Sequence, residues 1–175
     1  VDDKFESKKK HLSLPLLPIS KLKKLYPVND HFMFIAISYS QMNKKRKEKY
    51  NQIKKMGYRF ANLINSKLEL PSNVKIGENV AILDSKCIQP FAKILNNVFI
   101  WNGTIIGHHT LIKSHSWITS GSNIGGNSII GEQSFLGINS TVGNMIKIGN
   151  NCFIGANSLI TKNLDNNKVC INQDT

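Results

Sequence analysis

The stretch NIGGNSIIGEQSFLGINSTVGNMIKIGNNCFIGANSLI, residues 123–160, repeats every six residues. Ile124, Ile130, Leu136, Val142, Ile148, Ile154 and Ile160 fall in one register. The register runs back without a miss through Ile118, Ile112, Ile106, Ile100, Ile94, Ile88 and Ile82 to Ile76. Two positions before the aliphatic lies a second register of small residues: Thr104, Thr110, Ser116, Ser122, Ser128, Ser134, Ser140, Cys152 and Ser158. Glycine often follows the aliphatic, as at Gly107, Gly125, Gly131, Gly137, Gly143, Gly149 and Gly155. A period of six fits neither the 3.6 of a helix nor the alternation of a strand. It is the period of a parallel β-helix. The aliphatic then points into a narrow core with the small residue beside it. The glycine is expected at a corner that needs unusual dihedrals. Three hexads make one triangular coil, so fifteen hexads predict about five coils.

Upstream of the repeat the pattern changes. Leu12–Ile19 contains Pro15 and Pro18 and reads as extended or loop. Ser20 is an expected N-cap for a short helix over 21–25 that stops before Pro27. HFMFIAIS (31–38) is an apolar run of strand length, and residues 43–56 read as a helix with Tyr50, Ile53 and Met56 on its inner face. Gly57 is placed to end that helix. Residues 58–64 form a second strand candidate. This order predicts a partial Rossmann-like α/β unit over 1–70, followed by the β-helix over 71–165 and a polar tail over 166–175. The chain reads as starting inside its first domain, with the first strand and a Gly-rich turn absent.

The formal charge of +12 belongs mostly to the first segment. Residues 1–70 carry 16 Lys/Arg and 6 Asp/Glu. Such an excess attracts phosphorylated small molecules or nucleic acid, or it is simply the solvated face of lysine-rich helices. No recognition motif or aromatic-interleaved surface accompanies it, which argues against nucleic acid. No run approaches the length of a membrane span, and the three cysteines show no CxxC spacing. A cytoplasmic location is the expectation.

Several stretches carry a more specific signal: Asp2-Asp3-Lys4, HFMFIAIS with Arg46 in the next helix, GYRFANLI, ILDSKCIQPFAKI, NVFIWNG, IGHHTLI and IIGEQSFLGINSTV. In this order the chain resembles the hexapeptide-repeat sugar O-/N-acyltransferases, of the sialic-acid O-acetyltransferase and bacillosamine-pathway N-acetyltransferase type. The resemblance implies a left-handed β-helix and a homotrimer with active sites in the grooves between neighbouring subunits. It also implies acetyl-CoA as acyl donor, no metal, and a nucleotide-linked (amino) sugar as acceptor in surface polysaccharide, such as lipopolysaccharide, biosynthesis. A sugar hydroxyl, as in sialic acid, is the alternative acceptor.

His108-His109 is the sharpest local signal. Both fall at outward or corner positions of the hexad frame, and neutral imidazole suits a base that takes the acceptor's proton at neutral pH. By resemblance His108 matches the catalytic base. His109 matches a neighbour that is acidic in some members and orients the base. The resemblance also places Trp117 and Gly126 at the thioester end of acetyl-CoA, with the Gly126 amide as an oxyanion donor. Gly137, Ile138 and Ala156 lie along the donor's arm. Asp2, Asp3 and Lys4 match a nucleotide-contacting turn, and Trp101 and Asn102 lie near the acceptor. His115 reads as a surface histidine or as a second groove residue. Two competing classes share the fold. A zinc-bound γ-type carbonic anhydrase needs three histidines on neighbouring coils and subunits, whereas His108, His109 and His115 are bunched together. A non-catalytic trimeric scaffold would need no outward chemistry at all.

Overall fold

The computed structural model describes residues 10–11, 13–85 and 87–171. The repeat folds as a left-handed parallel β-helix of about six turns. Every hexad contributes a two-residue strand, and each strand pairs in register with the strand 18 residues away, for example Phe99↔Trp117 and Ile100↔Ile118. The strands sort into three sheets of seven, five and five. Face I holds Leu63–Ile64, Ala81–Ile82, Phe99–Ile100, Trp117–Ile118, Phe135–Leu136, Phe153–Ile154 and Val169–Cys170. Face II includes Cys87–Ile88, Ile105–Ile106, Asn123–Ile124 and Thr141–Val142. Face III includes Lys75–Ile76, Lys93–Ile94 and Leu111–Ile112. The sixth-position aliphatics fill the core, and Ile82 through Ile160 are at most 3% exposed. Each contributes roughly 1.5–3 kcal/mol of gross burial.

The small residues point inward as the pattern predicts, and among the described residues their hydroxyls have partners except at Ser158. Thr110, Ser116, Ser122, Ser128 and Ser134 each donate to the carbonyl of the corner glycine 15 residues on, at 2.8–3.1 Å. A buried hydroxyl left unpaired would cost roughly 1–3 kcal/mol.

The corner glycines do not have the expected dihedrals. The left-handed positions fall instead three residues after the aliphatic, at Asn97, His109, His115, Asn127, Asn139, Asn151 and Asn157 among others. Asparagine predominates because its short polar side chain tolerates that conformation. The glycines are needed for space, since consecutive coils stack corner on corner. A Cβ on Gly125 would lie 2.6 Å from Asn144 N, and one on Gly131 would run into Gly149 O.

The solenoid reaches beyond residues 71–165 at both ends. Leu63–Ile64 pairs with Ala81–Ile82 on face I, and Leu70 packs on the core between Ile64 and Ile76. At the other end the hexad shortens once to four residues. Ile148 bridges Leu164 and Ile154 pairs with Cys170, each 16 rather than 18 residues away. Val169–Cys170 is therefore a strand within the stretch expected to be a tail.

The N-terminal segment is sparser than the expected α/β domain. β1 (Lys10–His11) and β2 (Leu14–Pro15) pair antiparallel. Ser20 lies inside a 3-10 turn, Ile19–Lys21, and caps nothing; α1 is Leu22–Leu25. β3 (Phe32–Met33) and β4 (Arg59–Phe60) pair in parallel across α2 (Lys44–Lys55), a single βαβ crossover. Among the described residues, two short strands replace the two longer ones read from 31–38 and 58–64. Gly57, at φ +95°, follows the end of α2.

The inner side of α2 rests on the solenoid through Arg46, which is fully buried. Its guanidinium donates to Asn97 O, His115 O and Asn43 Oδ1 at 2.8–2.9 Å and lies over the rings of Phe99 and Trp117. Desolvation by burial lowers its pKa to about 9.

Corner stacking makes a definite prediction. Gly131→Ala should cost about 1–3 kcal/mol by overpacking. Asn139→Gly, at a left-handed corner, should cost much less because glycine adopts that φ freely. Urea unfolding of the two variants beside the wild type tests the contrast.

Candidate active site

His108 and His109 sit at the corner where face II turns into face III, and both side chains are exposed. The His108 backbone N–H donates to Gln89 Oε1 at 2.9 Å, and the His109 N–H to Pro90 O at 3.1 Å. The two Nδ1 atoms are 3.1 Å apart, a hydrogen bond between imidazoles whose rings meet edge-on at 85°. Phe91 stacks on His109, with centroids 4.6 Å apart and planes at 22°. The other edge of His108 lies over Gly126: a Cβ there would be 2.7 Å from His108 Nε2. His108 faces a groove of about 430 Å³ lined by Gln89, Ile105, Asn123, Gly125, Gly126 and Asn144, among others.

The Gly126 amide is engaged within the chain, contrary to the oxyanion expectation. It donates to Asn144 Oδ1 at 2.8 Å. The same bond recurs from Glu78 N to Asn96 Oδ1 and from Glu132 N to Asn150 Oδ1, each 18 residues apart. It therefore belongs to the inter-coil bonding of the solenoid. What Gly126 supplies is room, since only a residue without a side chain leaves space for the His108 ring.

Trp117, Gly137, Ile138 and Ala156 do meet, but on another side of the prism. With Tyr39, Trp101 and Phe135 they line an apolar hollow of about 420 Å³ on face I. Trp117 is only 4% exposed, stacked on Phe99 at 4.9 Å beneath Arg46. It is chiefly the seat of the N-terminal segment, with an edge open to the hollow. Asn102 lines a separate depression beside Leu63 and Asp84. Asp2, Asp3 and Lys4 lie outside the described residues.

His115 is neither a surface nor a groove residue; it is 7% exposed beneath α2. A buried polar ladder reaches it. Ile35 N–H donates to Asn79 Oδ1, Asn79 Nδ2 to Asn97 Oδ1, and Asn97 Nδ2 meets His115 Nδ1, at 2.6–2.8 Å. The donor polarity makes His115 Nδ1 an acceptor and keeps the ring neutral. Burial lowers its pKa to about 4, helped by Lys47 and Arg46 and opposed by Glu132. Among the described residues no group of three or more His, Cys, Asp or Glu side chains is arranged to hold a metal.

Residues 127–162 match the family model of the bacterial transferase hexapeptide (six repeats). The chain carries the hexapeptide repeat and resembles the sugar acetyltransferases built on it. PerB from Caulobacter crescentus, solved with CoA and GDP-perosamine, superposes with a TM-score of 0.84 at 22% identity. The match covers 93% of this chain and 78% of that one. The acetyltransferase domain of PglB from Neisseria gonorrhoeae gives 0.83 at 16% identity, over 95% of this chain and 80% of that one. The same domain solved with acetyl coenzyme A gives 0.84. At these identities the likeness establishes the fold. No curated protein matches the chain in sequence.

The neutral ladder gives stability a pH dependence. His115 has a depressed pKa when folded, so between about 6.5 and about 4 the unfolded chain binds a proton that the folded chain refuses. Its contribution is complete above 6.5 and is lost as pH falls toward 4. His115→Asn keeps a residue suited to the left-handed corner and removes the titration. Melting temperatures between pH 7 and 4.5 should fall more steeply in the wild type than in this variant.

Proposed function

We propose that the chain is an acetyl-CoA-dependent acetyltransferase acting on a nucleotide-linked amino sugar, with His108 as general base. One observation carries the proposal. His108 stands exposed at a groove with Nδ1 tied to a neighbouring imidazole and Nε2 over a glycine floor. That is the placement a base needs: one nitrogen held, the other presented to an incoming acceptor. The fold likeness to PerB and to the PglB domain supports the substrate classes, since those proteins were solved with CoA and GDP-perosamine and with acetyl coenzyme A.

In the proposed step the acceptor nitrogen attacks the thioester carbonyl carbon while His108 Nε2 takes its proton. The carbon–sulfur bond then breaks, and the CoA thiolate leaves with the proton that His108 returns. The products are the N-acetyl sugar and CoA. The Gly126 amide is given no part in this step. Trp101 and the edge of Trp117, with Ile138 and Ala156, offer the apolar surface for the donor's pantetheine arm. This surface and the His108 groove open on different faces of one prism. A homotrimer in which one subunit's hollow meets the next subunit's His108 groove would bring them together. Place in surface polysaccharide synthesis, a cytoplasmic location and a nucleotide-holding role for the N-terminal α/β segment complete the proposal.

The test measures CoA release with a panel of nucleotide-linked amino sugars. His108→Ala should lower kcat about 10²–10⁴-fold, the usual contribution of a general base. Full activity in that variant overturns the assignment of the base.

A further inference from the structure

The N-terminal segment carries most of the basic excess of the chain, and its cations are not all used in the same way. On α2, Lys47 pairs with Glu132 and Lys54 with Glu78. On α1 and the turn before it, Lys21, Lys23 and Lys24 are exposed and, among the described residues, meet no carboxylate. Close by in the chain stand two apolar side chains that the fold leaves uncovered: Leu25, 50% exposed, and Phe32, 56% exposed. A single exposed leucine or phenylalanine needs no explanation. Two of them among unpaired cations on a braced surface do.

The brace is made by β4. Residues 26–32 join α1 to β3, and β4 holds them from behind. Tyr58 Oη donates to Tyr26 O at 2.6 Å, and the Arg59 guanidinium donates to Asn29 O at 3.0 Å. Tyr26 meets His31 edge-on with centroids 5.1 Å apart, and His31 Nδ1 donates to Pro27 O at 3.0 Å. Arg59 is the strand partner of Phe32 and lies over its ring, 4.4 Å from the centroid. These contacts tie the end of α1, the loop and the outer side of the β3–β4 pair together. From Lys21 to Phe32 the one carboxylate is the exposed Asp30.

We propose that this surface docks on an anionic lipid bilayer, with Lys21, Lys23, Lys24 and Arg59 at the headgroup phosphates and Leu25 and Phe32 in the layer beneath them. The inference does not depend on the acetyl-transfer reading. Charge and apolar surface together select the partner. Four cations against Asp30 call for an anionic surface, and each cation held near one strengthens binding about fivefold. The aliphatic Leu25 calls for hydrocarbon, which a nucleic acid does not offer. Arg59 suits the boundary between the two, because its stem and the ring below it are apolar while its guanidinium can stay with the phosphates. The contact is peripheral, since among the described residues no helix is long and apolar enough to cross a membrane.

Sedimentation of the full chain with vesicles tests the proposal, using phosphatidylcholine alone and phosphatidylcholine mixed with phosphatidylglycerol. The chain should bind the mixed vesicles and leave the neutral ones. Lys21→Gln, Lys23→Gln and Lys24→Gln together should weaken binding about 100-fold, the product of three losses of about fivefold. Removing the same charge from α2, with Lys44→Gln, Lys45→Gln and Lys55→Gln, should weaken it much less. Leu25→Ser with Phe32→Ser should still bind at low salt but lose the binding that survives high salt, because salt screens the charges alone. All these positions are exposed, so melting temperatures should stay near the wild type, which separates lost docking from lost folding. Equal binding to neutral vesicles, no binding to mixed ones, or equal losses in the two lysine sets overturns the proposal. So does a nucleic-acid duplex that displaces the vesicles and binds the Leu25→Ser, Phe32→Ser variant as tightly as the wild type, since the surface would then be a site for a phosphate backbone.

Discussion

Corner stacking is the constraint on which the structure depends. Each coil lies close on the previous one: a Cβ at Gly77, Gly107, Gly125, Gly131, Gly137 or Gly149 would meet backbone of the neighbouring coil at under 3.0 Å, whereas Gly143 and Gly155 have room for one. The carbonyl of the corner glycine is not idle, because it accepts the buried hydroxyl from 15 residues earlier. Small inward hydroxyl, core aliphatic and corner glycine are thus one device. The hydroxyl fits beside the aliphatic only because it is small, and it is satisfied only because the next corner lies so close. A backbone held this rigidly places outward side chains with little freedom, which suits a site whose reactive atoms must be held in fixed geometry.

The N-terminal segment is joined to this prism by buried polar contacts as well as by the packing of Phe34, Tyr39 and Met42 on Phe99, Trp117 and Phe135. Arg46 places a cation beneath α2 and shares it among Asn97 O, His115 O and Asn43 Oδ1. The Asn79–Asn97–His115 ladder runs beside it in alternating donor and acceptor order. Removing one partner of a buried charge leaves the rest unpaired, so the junction depends on every member. Tyr50 and Lys54 add contacts to Glu78, and Lys47 to Glu132, at the rim. The coils that receive the segment are those that carry Trp117 and, one corner earlier, His108. The segment is therefore docked on the part of the prism that holds the candidate site.

Much of the fold is legible in the spacing of the aliphatics, because a narrow triangular core accepts one residue type at one interval. The ends are not. Ile64 and Leu70 keep the register but are masked by an apolar run that reads equally well as an α/β strand. Leu164 and Cys170 are hidden by one shortened hexad. At the site, the exposure of His108 and His109 follows from their place after Ile106. Their mutual contact does not, since it depends on ring torsions. The engagement of the Gly126 amide was visible in principle, for Asn144 lies 18 residues on, one full coil, as Asn150 does from Glu132. The burial of Trp117 follows similarly from Phe99 and Phe135, each one coil away on the same face. Assigning residues to faces by intervals of 18 separates the His108 groove from the Trp117 hollow, which intervals of six do not.

His109 and His115 show how one backbone requirement supports two opposite uses. Both stand three residues after an aliphatic, at φ +58° and +66°, where asparagine is the commonest residue. Histidine is among the few residues that tolerate this region, though the conformation is still uncommon. At His115 the corner is roofed by α2, Asn97 donates to the ring and burial keeps it neutral down to about pH 4, so it serves as the acid-sensitive end of a structural ladder. At His109 the corner is open, Phe91 lies on one face, and the ring nitrogen meets another imidazole. The difference comes from what covers the corner rather than from the corner itself. A solenoid of this kind can acquire chemistry by replacing a corner asparagine, because the backbone already holds the conformation and the neighbouring coil decides whether the new side chain is sealed or exposed.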